Sequence, residues 1–353
     1  MNDRPLVRDA AGNDGFDGVA EAIEIRIAHL PAGHVRGSDF QQVAARLADP
    51  GPTEVLVRNE WMSLDPYMRL GLTGQDGYVS PLQPGDILGG PAIGLIEASS
   101  DAGYPIGTRV LNQLGWRSRF VATPAEAGLV RIDDEDVPLE WHLGLLGLTG
   151  VTAWIGIERV VQPAAGETIF ISGAAGAVGS LACQLAKLRG ARVLGSAGTA
   201  EKMTWLLEEI GVDAAFNHRE GGLETFLDEH APAGVDCYFD NVGGPMLETF
   251  LGRTRRGGRI GLCGAMSQYE GSDYRVGPAN FFAVIEKELK LEGFNAFLLT
   301  GEEWASAQAS LKRLAQAGDI RPCHAVVGGI EKVPEAFAQL FESGHRGKLI
   351  VQI

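Results

Sequence analysis

Several features are scarce in this 353-residue chain, and each scarcity removes a class of protein. Cysteine comes first. There are four, Cys183, Cys237, Cys263 and Cys323, with no C-x-x-C pair and none before residue 183. That excludes a disulfide framework and, on spacing, a four-cysteine structural metal site. Cys183 falls inside a helical stripe, and Cys237 and Cys263 fall in apolar strand-like runs. They read as reduced thiols, which points to a cytoplasmic protein. Basic residues are also outnumbered, 30 Lys and Arg against 45 Asp and Glu, for a net charge of −15. A nucleic-acid partner is excluded, because neutralising phosphates needs basic surface. The local run Arg253-Thr254-Arg255-Arg256 reads as an exposed turn. Long apolar runs are missing too. Residues 143–157 are uncharged but too short and too glycine-rich to span a membrane. The N-terminus carries Asp3, Asp9, Asp14 and Asp17 and no apolar leader, so no signal peptide is expected. There are no internal repeats and no low-complexity segment.

What remains is an ordinary globular composition, 45% apolar and 21% charged, long enough for two domains. The chain is organised around residues 167–202. Residues 168–172 form a short apolar run rich in β-branched residues, as a buried parallel strand requires. The turn Gly173-Ala174-Ala175-Gly176-Ala177-Val178-Gly179 follows at once. Val178, Leu181, Ala182, Leu185 and Leu188 then fall on one helical stripe. Gly190 stops the helix, and residues 192–197 return as a second strand.

This arrangement suits a dinucleotide. Small residues let backbone N–H groups approach a pyrophosphate at a helix N-terminus, and Gly179 permits close packing of helix on strand. The usual fingerprint is G-x-G-x-x-G, and here Ala174 holds the first glycine position. The end of the second strand is a further informative absence. An NAD-specific fold carries a carboxylate there for the ribose hydroxyl. This chain has Ser196-Ala197-Gly198-Thr199, and Lys202 follows. A cation and hydroxyls suit a 2′-phosphate, so the coenzyme expected is NADP.

Around this segment the chain changes texture. Residues 1–20 read as a frayed polar tail. Strands are expected at 22–28 and 54–59, within an irregular, mostly β region that continues through 110–121. Residues 139–157 read as helical. Strands follow at 235–240, 258–263 and 289–294, with helices at 246–251 and 304–317. This alternation implies a doubly wound parallel sheet. Residues 348–351 read as a strand returning to the first domain.

Four stretches carry a resemblance. They are residues 59–69 (NEWMSLDPYMR), the AAGAVGS turn, Asp240-Asn241-Val242-Gly243-Gly244, and residues 263–269 (CGAMSQY). In this order, spread over four-fifths of the chain, they resemble the medium-chain dehydrogenase/reductase superfamily. Within it they look like the zinc-free branch of prostaglandin reductases, alkenal double-bond reductases and curcumin reductases. The resemblance implies a Rossmann-type NADP-binding domain over 139–317. It also implies a discontinuous, mostly β GroES-like domain over 1–138 and 318–353. Zinc relatives share this architecture, but no cysteine precedes Cys183, and Gly89-Gly90-Pro91 stands where they carry Gly-His-Glu. No metal is expected.

The reaction implied is hydride transfer from NADPH to the β-carbon of an α,β-unsaturated ketone or aldehyde. Charge then develops on the carbonyl oxygen, and a neutral donor must meet it. A tyrosine hydroxyl fits. By similarity Tyr269 is the catalytic candidate, Tyr67 the second, and Tyr78 a pocket residue, while Arg69 reads as structural or as a domain-interface ion pair. Gly176, Ala177, Val178 and Gly179 would hold pyrophosphate, and Lys202 the 2′-phosphate. Asn241 would face the ribose or nicotinamide. Cys263, Gly264, Ala265, Met266, Ser267, Gln268 and Tyr269 would line the nicotinamide, and Phe294, Asn295 and Ala296 would offer backbone contacts. His218 and His345 stand where the family often has tyrosine and asparagine. If they reach the phosphate as charged imidazoles, affinity should weaken as pH rises through neutrality. Alternatives are quinone reduction, alcohol oxidation on NADP, and a non-catalytic NADPH-binding protein. The family often forms homodimers through the edge of the nucleotide domain's sheet.

Overall fold

The computed structural model describes residues 7–8, 14–15, 20–74, 76–77, 79–134, 136–269, 277–342 and 344–353. Tyr78 and most of the expected tail lie outside them. By contact the chain divides into two units, residues 1–143 with 326–338 and 350–353, and residues 144–325 with 339–349.

The first unit is mostly β. Its strands are β1 (Val7–Arg8), β2 (Asp14–Gly15), β3 (Ala20–Ile27), β4 (Phe40–Leu47), β5 (Val55–Ser63), β6 (Ala92–Ser99), β7 (Arg109–Asn112), β8 (Arg119–Ala122) and β9 (Val130–Arg131). β3 and β4 pair antiparallel over their whole length. β5 is antiparallel to both β6 and β8. Its inward residues Val55 and Val57 join Ile96, Val110 and Phe120 in one core cluster, the side-chain shapes that fit a pleated, covered surface. Asn59 is buried here with its amide satisfied. Its Nδ2 donates to the carbonyls of Leu114 (3.0 Å) and Arg117 (2.9 Å), and its Oδ1 accepts from Asn112 (2.9 Å).

The second unit is a parallel sheet with helices. Its elements are α1 (Leu148–Ile155), β10 (Thr168–Ile171), α2 (Ala177–Leu188), β11 (Arg192–Ala197), α3 (Ala200–Trp205), β12 (Ala214–Asn217), α4 (Leu223–His230), β13 (Val235–Asp240), α5 (Gly244–Arg253), β14 (Thr254–Leu262), α6 (Ala283–Glu286), β15 (Lys290–Gly293) and α7 (Gly301–Gln316). The strand order is β12-β11-β10-β13-β14-β15, all parallel. The order reverses between β10 and β13. That is the switch point at whose carboxyl end open α/β sheets bind ligands. Phe170, Leu194, Leu227, Val235, Tyr238, Phe250 and Ile260 fill one face, and Tyr238 stacks on Phe250 with ring centroids 4.1 Å apart. The chain closes with β16 (His324–Gly328), α8 (Val333–Glu342) and β17 (Lys348–Gln352). β17 lies antiparallel to β5, so the first unit's larger sheet runs β16-β17-β5-β6-β7-β9 with β8 also beside β5.

Three details differ from the sequence reading. The helical run expected over 139–157 is broken at Gly144–Gly147, where the Gly144 carbonyl accepts from Gly147, Gly150 and the Thr149 hydroxyl. Only α1 is α-helical in it. The arginine run is no turn, because Arg253 ends α5 and Thr254 pairs with Val235 to open β14. Exposed Arg255 and Arg256 are held by Asp236 and Glu288. The C-terminal segment 318–353 was expected to join the first domain whole, but residues 318–325 and 339–349 group with the second unit. Backbone bonds are the cause: Gly347 N–H donates to Ala175 (2.9 Å) and Lys348 N–H to Cys323 (2.8 Å). No helix among the described residues is long and apolar enough to cross a membrane.

Candidate coenzyme and substrate site

The glycine turn joins β10 to α2 under tight constraint. Gly173 sits at φ +60°. Its N–H donates to Ser196 Oγ (3.2 Å), and the Ala174 N–H donates to the Ser196 carbonyl (2.8 Å). A Cβ on Gly179 would lie 2.3 Å from the Gly173 oxygen and 2.8 Å from Ala174 Cα, so only glycine lets α2 approach β10 this closely. Ala174 replaces the first glycine of the common fingerprint, and the compensation is Gly195 on β11. A Cβ at 195 would come within 2.7 Å of the Ala174 methyl. Gly176 caps α2 in extended backbone with no side-chain cap and no acidic residue in the first turn. The N-terminal N–H groups around Ala177, Val178 and Gly179 and the positive dipole end thus meet no carboxylate of their own helix.

The residues beyond β11 differ in role from the sequence reading. Ser196 is fully buried, and its hydroxyl is spent on Gly173. Thr199 Oγ1 caps α3 by accepting from the Lys202 N–H (3.3 Å). Both hydroxyl oxygens thus accept from the backbone. Lys202 has its pKa pushed down, first by burial and then by Arg219, with Arg346 adding to it and Glu201 opposing. His218 follows β12, and its N–H donates to the Ala197 carbonyl (3.1 Å). Burial, then Arg219, then Lys202 hold its imidazole below the ordinary value, against a hydrogen bond to the Ala197 backbone. His345 is pushed down to about 4 by burial, Lys202 and Lys348, and its Nδ1 is buried without a hydrogen-bond partner among the described residues. Arg219, Arg346 and Lys348 were not singled out from sequence. The signal was there, since each adjoins or nearly adjoins a histidine that was.

At the ends of β13 and β14 the loops are pinned. Asp240 is buried, and its Oδ1 accepts from the Tyr238 hydroxyl (2.6 Å), Gly243 N–H (2.9 Å), Val242 N–H (3.0 Å) and the Ser172 hydroxyl (3.2 Å). Burial pushes its pKa up. Asn241 turns its Nδ2 onto the Ser172 carbonyl (2.7 Å), tying β10 to β13, so its amide is structural in this state. Its own carbonyl accepts from Met266, and Val242's accepts from the Ser267 N–H and hydroxyl. The segment Cys263 to Gln268 is thereby hung on the β13 loop. Burial and Asp240 push the Cys263 thiol up, which disfavours its thiolate form. Tyr269 is half-buried, with its hydroxyl 3.5 Å from the Ala265 nitrogen and 3.5 Å from where a Cβ on Gly264 would stand. It lies over the Gly264–Ala265 backbone. Phe294 packs on Phe239, ring centroids 5.8 Å apart. Asn295 caps a turn by accepting from Phe297 (3.0 Å), and Ala296 is buried. In the first unit Tyr67 is half-buried on the turn Pro66–Thr73, and buried Arg69 donates to the Gly33 carbonyl (3.0 Å). Among the described residues no cluster of three His, Cys, Asp or Glu is placed to hold a metal.

Comparison with known proteins agrees with this geometry. Residues 24–132 match the N-terminal domain of oxidoreductase family, and residues 177–313 match the zinc-binding dehydrogenase family. A 2-alkenal reductase (NADP(+)-dependent) of Nicotiana tabacum is 35% identical, covering 94% of this chain and 97% of that one. Prostaglandin reductase 1 of Bos taurus is 36% identical, over 91% and 95%. The crystal structure of CurA from Vibrio vulnificus in complex with NADPH superposes with a TM-score of 0.87 at 30% identity, over 94% of this chain and 98% of that one. The chain belongs to the medium-chain dehydrogenase/reductase superfamily, in the zinc-free branch that holds the alkenal and prostaglandin reductases.

Proposed function

We propose that this protein is an NADPH-dependent reductase of the C=C bond in α,β-unsaturated ketones and aldehydes. One observation carries the coenzyme half: a glycine turn packed too closely for any Cβ at 179 opens beside Lys202, with no acid at the end of β11. The residues fit the group. The Nδ1 of His345, buried without a partner among the described residues, and the uncapped first turn of α2 are polar groups left open to a ligand. When bound, the coenzyme supplies hydride to the substrate's β-carbon. Gly176 to Gly179 hold its pyrophosphate, and Lys202 neutralises its 2′-phosphate. The backbone of 263–268 and of 294–296 orients the nicotinamide. Tyr269 donates its hydroxyl proton's hydrogen bond to the carbonyl oxygen where negative charge develops, and Tyr67 orients the substrate. The 35–36% identity to reductases of alkenals and prostaglandins supports the substrate half.

The deciding experiment follows NADPH oxidation by absorbance with an enal, an enone, a quinone and buffer alone. Saturable turnover with the enal or enone is expected. Turnover with the quinone and none with any enone would reassign the chain to quinone reduction. Tight NADPH binding without turnover would make it a non-catalytic binder.

The pH dependence expected from sequence changes. With burial first and neighbouring cations second holding both imidazoles toward the neutral form, His345 at about 4, protons leave them below neutrality. NADP affinity by calorimetry is therefore expected to vary by less than about twofold between pH 7 and 8. A tenfold fall over that interval would restore a charged histidine.

A homodimer and a cytoplasmic location belong to the same proposal. Among the described residues β15 ends the sheet, and Phe282, Ile285 and Leu298, near it in sequence, are 71%, 71% and 82% exposed. Such an edge invites pairing, and light scattering that gives a monomer mass would remove the dimer. The four free cysteines, two of them buried, support a reducing compartment, which cell fractionation checks.

A further inference from the structure

Glycine weakens a helix relative to alanine, yet Gly156 stands where α1 runs into the π-helical turn Gly156–Val161. Such turns are frequent at functional sites. The backbone of Gly156 is ordinary right-handed helix, φ −61° and ψ −38°, so conformation does not call for glycine. Space does. A Cβ there would lie 2.3 Å from Phe239 Cε2 and 2.6 Å from Phe294 Cζ. Phe239 is fully buried on β13. The two rings meet edge to face with centroids 5.8 Å apart, a favoured geometry for an aromatic pair. A second glycine makes room as well. A Cβ on Gly261 of β14 would lie 2.9 Å from Val161 Cγ1 and 3.4 Å from Phe294 Cε1. The far edge of the Phe294 ring is thus met from the helix, from β13 and from β14. A ring packed on those sides keeps one rotamer and holds its own backbone in place.

That backbone lies on the ligand side of the sheet. Phe294 is the first residue after β15, and its N–H donates to the carbonyl of Leu262, the last residue of β14 (3.3 Å). Phe239 directly precedes Asp240, the last residue of β13. These are the carboxyl ends of parallel strands, where open sheets bind ligands. The rings that fill the place of a Gly156 side chain therefore belong to the strand ends that lead into Asn241 and into Asn295–Ala296.

We propose that Gly156 is a positioning residue for the nicotinamide. It acts through Phe239 and Phe294, whose rings take the place of its side chain and so set the strand ends that orient the coenzyme's reacting end. This rests on the coenzyme reading above and deepens it. A misplacement of about 1 Å in such a frame costs roughly 100-fold in rate. The phosphates are held elsewhere, at the glycine turn and Lys202.

The test uses the full chain with Gly156→Ala, Phe294→Leu and the two together. Calorimetry compares NADPH with adenosine 2′,5′-bisphosphate, which lacks the nicotinamide, and kinetics with an enone give kcat and KM. Gly156→Ala is expected to lower kcat and to weaken NADPH by about 10-fold or more each, with the bisphosphate changed less than about twofold. Adding Phe294→Leu should return part of both losses, because a ring that the new methyl meets is gone. An unchanged kcat in Gly156→Ala would overturn the proposal, and so would a double variant that recovers nothing. Equal weakening of NADPH and the bisphosphate would assign Gly156 to the fold alone. If Gly156→Ala does not fold, Phe294→Leu at its half-buried position decides: weaker NADPH with the bisphosphate unchanged supports the proposal, and unchanged NADPH overturns it. A wild-type protein that binds neither ligand would overturn the coenzyme reading itself.

Discussion

Gly179→Ala is expected to cost about 3 kcal/mol of stability and to abolish measurable NADPH binding. The added methyl would meet the Gly173 oxygen at 2.3 Å and Ala174 Cα at 2.8 Å. Both are backbone atoms, so no rotamer change relieves the clash, and α2 must move off β10. That movement displaces the N–H groups over which a pyrophosphate would sit, so binding is lost with packing. Gly301→Ala is the control. Gly301 opens α7, and a Cβ there meets nothing within 4 Å. Helix propensity makes that change neutral or stabilising by up to about 1 kcal/mol. Denaturant unfolding and quenching of protein fluorescence by NADPH read both effects. A Gly179→Ala protein with wild-type midpoint and affinity would mean that close approach of helix and strand is not needed.

Tyr269→Phe is expected to lower kcat about 100-fold and to leave the NADPH dissociation constant within about twofold. The geometry separates the two effects. At 3.5 Å from the Ala265 nitrogen, the hydroxyl's contact with that nitrogen is weak, so losing this contact costs the loop little. The ring that remains still covers Gly264. What disappears is the donor for a carbonyl oxygen that gains charge in the transition state. Loss of kcat with KM for the enone nearly unchanged would place the hydroxyl in the chemical step. An unchanged kcat would leave Tyr269 as a wall of the pocket.

Five of the six strands of the second unit were legible because buried parallel strands announce themselves by composition; β12 (Ala214–Asn217) was not read. Residues 192–197 and 235–240 are bounded as their apolar runs suggest. The turn was legible because glycine is the only residue that solves a packing problem at 179. The break within 139–157 was not, since it depends on the Gly144 carbonyl gathering three donors, which periodicity does not record. Ser196 and Thr199 were read as hydroxyls available to a ligand. Their engagement with Gly173 and Lys202 is a matter of orientation, invisible in the letters. Arg219 and Arg346 were passed over for a related reason. Arginines on a surface are ordinary, and only the register of β11 with β12, and the return of 339–349 to the second unit, bring them near Lys202.

That return also sets an order of events during synthesis. The Gly347 N–H that closes on Ala175 leaves the ribosome some 170 residues after the turn it braces. A nascent chain halted short of position 339 would carry every strand of the nucleotide sheet and still lack the clasp on its coenzyme bend. The brace on the turn therefore forms only once residues 339–349 have folded onto the second unit.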